Sequence, residues 1–109
     1  MELEDVVNSG YTHDEAVYLK ALEKWGESAQ LLMLIEEMGE LTVEVAHQLR
    51  GRGNYDKLLD ECVDVDIMVS QLRLILEKQN EVRYTVHKCK KINRLEERLK
   101  RGEAQNVKD

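Results

Sequence analysis

Residues 28–50, SAQLLMLIEEMGELTVEVAHQLR, decide the fold of this chain. Apolar side chains recur in this stretch at intervals of three and four residues, which is the period of an α-helix that buries one face. They are Leu31, Leu34, Ile35, Met38, Leu41, Val45 and Leu49. The pattern predicts one long helix with Ser28 as its N-cap, roughly 35 Å from end to end at ~1.5 Å per residue.

A second long helix follows the loop Gly51-Arg52-Gly53-Asn54. Asn54 can cap it, and its pattern extends from about Tyr55 to Lys78 and becomes apolar on almost every side beyond Val63. Because the loop is short, we expect the two long helices to lie antiparallel. A helix so widely apolar in a chain of 109 residues also predicts a partner subunit.

Two further helices are predicted on either side of this pair. Thr12 and Glu15 fit a capping box, which predicts a helix from His13 to Trp25 with Gly26 as its C-cap. After residue 78, Asn80 is the candidate cap of a helix that runs to about Arg101 and ends at Gly102. Its apolar seam comprises Val82, Val86, Cys89, Ile92, Leu95 and Leu99.

The composition agrees with a helical fold. The chain has no proline, and Glu, Leu, Lys and Arg are frequent, so an all-α protein is predicted. We expect residues 1–109 to form a single domain, with residues 1–11 as a lead-in and 103–109 as a polar tail. Its architecture is predicted to be a bundle of about four helices that is completed by homo-oligomerisation.

Charge and cysteine content exclude several classes of function. The net charge of −6 argues against direct DNA or RNA binding, although the C-terminal third is basic. Cys62 and Cys89 form no metal-binding pair and no disulfide framework, and we expect Cys62 to pack in the core. No signal peptide or membrane-spanning apolar run is evident, so a cytoplasmic protein is predicted.

Two acidic groups lie within the long helices, Glu36-Glu37-Met38-Gly39-Glu40 and Glu61-Cys62-Val63-Asp64. Residues three apart lie on the same face of a helix, so Glu37 and Glu40 project together, as do Glu61 and Asp64. Antiparallel packing would bring the two pairs face to face. Four converging carboxylates repel one another, and Mg²⁺, with Mn²⁺ as the alternative, prefers such oxygen ligands.

Other interpretations of the polar residues stay open. Glu44 and His47 form an ExxH motif of the type found in di-iron bundles, but those sites need two such motifs and only one is present. Asp66, among apolar residues, is expected to make a polar contact between helices or to support a metal ligand. The non-enzymatic alternative is a helical oligomerisation or adaptor module with the acidic groups on its solvated surface.

The order EExxE, about 20 residues, then ExxD resembles the MazG-like nucleoside triphosphate pyrophosphohydrolases of the all-α NTP pyrophosphatase superfamily. The resemblance extends to Lys24-Trp25-Gly26, Gln30 and the glycine loop, and it is strongest with the short single-domain members. It implies a helical homo-oligomer, a dimer or a tetramer, that hydrolyses NTPs or dNTPs between the α- and β-phosphates with Mg²⁺. The products would be the nucleoside monophosphate and pyrophosphate.

The resemblance also implies roles for individual residues. Glu37, Glu40, Glu61 and Asp64 would hold the metal. Glu36 could orient or deprotonate the attacking water beside Glu37, or it could be a solvated side chain. The residues expected to bind phosphate are Lys91, Arg94 and Arg98. Trp25 could stack on the base and Gln30, with Asn80, could contact its edge, although nothing in the sequence identifies which base.

Overall fold

The computed structural model describes residues 2–78 and 83–102. Every regular element among these residues is an α-helix, which confirms the all-α prediction. The helices are α1 (Leu3–Asn8), α2 (His13–Trp25), α3 (Glu27–Leu49), α4 (Tyr55–Glu77) and α5 (Arg83–Lys100). The described part of the chain thus contains one helix more than the four that were predicted.

The additional helix, α1, lies within residues 1–11, where the sequence predicted only a lead-in. It packs against α2 and buries Val6. The hydroxyl of Ser9 donates a hydrogen bond to the carbonyl oxygen of Asp5 at its C-terminal end. A helix of six residues is unstable alone, so this tertiary contact rather than a local pattern explains why it forms.

The junction between α2 and α3 is tighter than predicted. The capping box of α2 is confirmed, because Thr12 Oγ1 accepts a hydrogen bond from the Glu15 amide and Glu15 Oε1 accepts one from the Thr12 amide. The predicted N-cap of α3, Ser28, is wrong, since α3 begins at Glu27 and its N-cap is Gly26, two residues earlier. Gly26 has φ +90°, which only glycine adopts readily, so one residue ends α2 and begins α3.

The loop between α3 and α4 reverses the chain through residues 50–54. Gly53 lies so close to α3 that a Cβ atom at this position would overlap the Gln48 side chain and lie 3.0 Å from the Gln48 Cα. Asn54 Oδ1 accepts a hydrogen bond from the Lys57 amide at 3.1 Å, which confirms Asn54 as the cap of α4. Glycine at residue 53 therefore allows the close return that the helix pair requires.

The buried face of α3 differs from the predicted one. The chain divides into two compact units, Met1–Ile75 and Leu76–Asp109. In the first unit the buried apolar residues are Val6, Ala16, Leu34, Met68 and Leu74. Of the predicted apolar stripe Leu34 is buried, whereas Leu31, Ile35, Met38, Val45 and Leu49 are exposed. The buried side of α3 instead contains Gln30 and Glu44, because α3 packs through an edge of the stripe rather than its centre.

Two predictions for α4 are corrected by the structure. Cys62 is exposed, so it does not pack in the core of the single chain. Asp66 is exposed as well, and neither of its predicted roles is seen among the described residues. Glu61 and Asp64 face α3, and Cys62 is placed about 100° round the helix from Glu61, beside exposed Val63.

The second unit contains α5, in which no residue is buried. Four predicted seam residues, Val86, Ile92, Leu95 and Leu99, are exposed, as is Cys89. The helix ends before Gly102, as predicted, whereas Asn80, Val82 and the tail lie outside the described residues. Among the helices that the structure describes, none has the length and apolar character needed to cross a bilayer.

Candidate functional site

Helices α3 and α4 bring three carboxylates together. One oxygen each of Glu37, Glu61 and Asp64 lies within 4.8 Å of the other two. Glu61 and Asp64 are one turn apart on α4, so both face α3 at the level of Glu37. The structure therefore shows the convergence of acidic groups that the spacing of the two motifs predicted, for three of the four residues.

Glu40, the fourth predicted ligand, is exposed at the edge of this group. Its charge nevertheless acts on its neighbours. The pKa of Glu37 is raised by burial, and then by the negative charges of Glu40 and Asp64. Burial is also the largest cause of the raised pKa of Glu61, and the neighbouring Glu40 and Asp64 raise this pKa further. The four acids form one electrostatic unit, which we call the acidic cluster.

Two oxygen atoms of the acidic cluster are buried without a hydrogen-bond partner. They are Glu37 Oε2 and Glu61 Oε2, and neither accepts a hydrogen bond from any described residue. A buried carboxylate oxygen that loses water without gaining a donor or a cation destabilises the fold. Protons can relieve this penalty at low pH, and a bound cation can relieve it at neutral pH.

Glu44 belongs to the same face of α3, two turns after Glu37, but it has a different environment. Its side chain is only 6% exposed, and Oε1 lies 3.4 Å from Lys57 Nζ on α4. Oε2 lies 3.6 Å from His47 Nδ1. Both oxygens therefore have a neighbour, and Glu44 of the ExxH motif forms an ion pair with Lys57 that connects α3 to α4. This contact was not predicted, because the seven-residue interval between Glu37 and Glu44 indicates only that both residues lie on the same face of α3.

We expect Lys57→Met to destabilise the protein by about 1–2 kcal/mol, because it leaves Glu44 buried without its lysine partner. Urea unfolding followed by circular dichroism measures this change. Lys20→Met is the matched control, since Lys20 Nζ lies 3.6 Å from Glu23 Oε2 in a pair that is more solvent-exposed. Such a surface pair contributes about 0–1 kcal/mol. Equal losses in the two variants would contradict a structural role for the Glu44–Lys57 pair.

The other predicted residues of α2 and α3 lie in three different environments. Glu36 is exposed and lies about 100° round α3 from Glu37. Trp25 is exposed too, with Lys24 Nζ 5.6 Å from the centroid of its ring. It lines a groove of about 620 Å³ together with residues of α1 and α2. Gln30, the second predicted base contact, is buried on α3.

The three predicted phosphate-binding residues lie on α5. Lys91, Arg94 and Arg98 are spaced three and four residues apart, which places them on one side of that helix. They belong to the second unit, Leu76–Asp109, and their role toward a substrate stays a prediction. The basic character of α5 is clear from the sequence, because residues 83–102 contain eight Lys and Arg but only two acidic residues.

No protein-family model, curated protein or solved structure matches this chain. The three closest ligand atoms are all carboxylate oxygens, which are the donors that Mg²⁺ and Mn²⁺ prefer over the nitrogen and sulfur ligands typical of zinc and copper. Their close approach and the two unpaired oxygens fit a hard divalent cation.

Proposed function

We propose that the protein is a Mg²⁺-dependent nucleoside triphosphate pyrophosphohydrolase that converts NTPs or dNTPs to monophosphates and pyrophosphate. The observation that carries the proposal is the approach of Glu37, Glu61 and Asp64 to within 4.8 Å, with two of their oxygens buried and unpaired. An acidic site that retains this repulsion is better suited to binding a cation than to a structural contact. The reaction itself is proposed from the order and spacing of the two acidic motifs, which resemble those of the MazG-like pyrophosphohydrolases.

Glu37, Glu40, Glu61 and Asp64 would hold Mg²⁺, with Mn²⁺ as the alternative. When bound, the cation would withdraw charge from the phosphate oxygens and lower their repulsion toward water. Glu36 is exposed beside the acidic cluster and would accept a proton from the attacking water. The alternative is that Glu36 is a solvated side chain without a role in the reaction. Lys91, Arg94 and Arg98 would bind the departing pyrophosphate, and Trp25 would stack on the base.

The experiment that tests the reaction is product separation by anion exchange. The purified protein is incubated with a panel of NTPs and dNTPs in Mg²⁺ and, separately, in EDTA. We expect monophosphate and pyrophosphate in Mg²⁺ alone. Diphosphate with inorganic phosphate would show cleavage at another bond, and the absence of products with every nucleotide would reject the proposed activity.

A homo-oligomer is part of the proposal. Five residues of α3 form an exposed row, which we call the apolar row: Leu31, Ile35, Met38, Val45 and Leu49. Ile35 is 66% and Leu49 is 80% exposed, and their spacing places all five on one side of α3. An exposed row of apolar side chains of this kind is typical of a protein interface. The dimer and the tetramer both remain compatible with it.

We expect Ile35→Glu to shift the protein from oligomer to monomer, because it places a charge within the apolar row. The molar mass is measured by light scattering after gel filtration at several protein concentrations. Gln48→Glu, a new charge at an exposed position of the same helix about 100° round from Leu49, serves as the control. A wild-type monomer, or an unchanged mass in Ile35→Glu, would contradict this interface.

The apolar row also favours a second candidate function, a non-catalytic oligomerisation or adaptor module. In that case the acidic cluster would be a charged surface without a ligand. The two functions differ in one measurable property, since an adaptor would show the same stability and the same assembly with and without Mg²⁺ and nucleotides. The product assay and the metal dependence of stability therefore separate them.

A further inference from the structure

Polar residues recur every seventh position on both long helices. On α3 they are Gln30, Glu37 and Glu44, and on α4 they are Lys57, Asp64 and Gln71. Residues that lie at the same height on the two helices form a level. Two such levels are observed directly, the Glu44–Lys57 ion pair and the group that contains Glu37 and Asp64. A step of seven residues is close to two turns, so it advances both antiparallel helices by equal lengths. The next level therefore places Gln30 opposite Gln71.

Both glutamines of this third level are buried, Gln30 at 8% and Gln71 at 5% exposure. Gln71 Nε2 donates a long hydrogen bond to Met68 Sδ, at 3.9 Å. Gln71 Oε1 is buried and accepts no hydrogen bond from any described residue. A buried amide oxygen that lacks a donor is costly, and it identifies a position where a donor from outside the chain would be stabilised.

We propose that Gln71, together with Gln30, forms the subsite that contacts the edge of the substrate's base. This inference rests on the proposed function, because it assumes a triphosphate at the acidic cluster. One step of seven residues corresponds to ~10.5 Å along the helix. That distance is comparable to the separation between the phosphates and the far edge of the base in an extended nucleotide. It is longer than the distance from the phosphates to the ribose.

The chemistry of a glutamine amide suits this role. Oε1 accepts a hydrogen bond and Nε2 donates one, so a single side chain can pair with adjacent donor and acceptor groups on a base. In Gln71 the unsatisfied atom is the acceptor, so the ligand must supply a ring N–H or an exocyclic amino group. A triphosphate without a base supplies neither, and it should bind without contacting Gln71.

Gln71→Met tests the subsite, because it removes the amide but keeps a side chain of similar length and volume. We expect kcat/KM for the preferred nucleotide to fall by at least ~10-fold, since one buried hydrogen-bonding partner is lost. The ratios of kcat/KM among the bases should move toward one. Inhibition by inorganic tripolyphosphate, which lacks a base, should be unchanged. The matched control is Gln48→Met, at an exposed glutamine of the same α3–α4 hairpin, which should alter none of these values.

Three outcomes would overturn the inference, and they are distinguishable. Unchanged base ratios in Gln71→Met, with normal pyrophosphate release, would reject the subsite but leave the proposed function intact, and would mean that water satisfies Oε1. Weaker inhibition by tripolyphosphate, in parallel with the nucleotides, would show that Gln71 acts only through the fold. A wild-type protein that releases no pyrophosphate from any nucleotide would reject both proposals.

Discussion

Asp64→Asn is expected to abolish nucleotide hydrolysis while the helical content stays unchanged. The substitution removes one carboxylate charge from the acidic cluster but almost no volume, and Asp64 is exposed enough that the amide needs no new buried partner. We expect kcat/KM to fall by more than about 100-fold, because loss of groups that only support a metal ligand already costs about 10–100-fold. Glu37→Gln should have the same effect.

Stability gives this prediction an independent readout. Asp64 contributes to the raised pKa of both Glu37 and Glu61, so its removal relieves repulsion in the metal-free protein. We therefore expect Asp64→Asn to lose activity without losing stability in EDTA. Asp66→Asn is the matched control, since it makes the same chemical change at an exposed residue on the same helix. Full turnover of Asp64→Asn at saturating Mg²⁺ would disprove the assignment of this site.

Mg²⁺ is expected to raise the melting temperature strongly near neutral pH and much less in acid. A ligand at 100 times its dissociation constant stabilises the folded state by about 2.7 kcal/mol. In a domain of this size each kcal/mol shifts the melting temperature by roughly 4 °C or more, so we expect an increase of about 10 °C. Protons compete with the cation for the same oxygens, which is why the effect should shrink as the pH falls.

The pH dependence of the metal-free protein follows from the same residues. The pKa values of Glu37 and Glu61 lie above the ordinary glutamate value of 4.5. Below that pH both groups are protonated in the folded and unfolded chain, and their contribution to stability is fully present. As the pH rises from 4.5 through the raised pKa values, the two carboxyl groups ionise more readily in the unfolded chain than in the folded one. Their contribution to the free energy of unfolding is therefore lost.

Thermal unfolding in EDTA and in saturating Mg²⁺, over a pH series from about 4 to 8, measures both effects. The Glu37→Gln variant is the control, since it should lose most of the response to Mg²⁺. It should also reduce the loss of stability with rising pH in EDTA. A melting temperature that does not respond to Mg²⁺ near neutral pH would reject the metal site and favour the adaptor function.

The sequence by itself determined the features that depend on neighbouring residues. The capping box of Thr12 and Glu15, the Asn54 cap and the chain reversal before α4 all follow from contacts within a few positions. The placement of Glu61 and Asp64 on one face of α4 follows from helix geometry alone. For this reason the all-α fold could be predicted, whereas the approach of Glu37 to Glu61 and Asp64 also required the antiparallel packing of α3 and α4 that the short loop indicated.

Only the tertiary structure decided which faces of these helices meet. The apolar stripe of α3 predicted a buried face, but packing selects one edge of it, so Ile35 is exposed and Glu44 is buried. Whether Cys62 is buried and whether α1 forms depend likewise on contacts between segments distant in sequence. The Glu44–Lys57 pair and the unsatisfied oxygen of Gln71 depend on the exact register of α3 against α4. Local periodicity fixes the direction of a side chain on its own helix, whereas burial and charge pairing are fixed by the neighbouring helix.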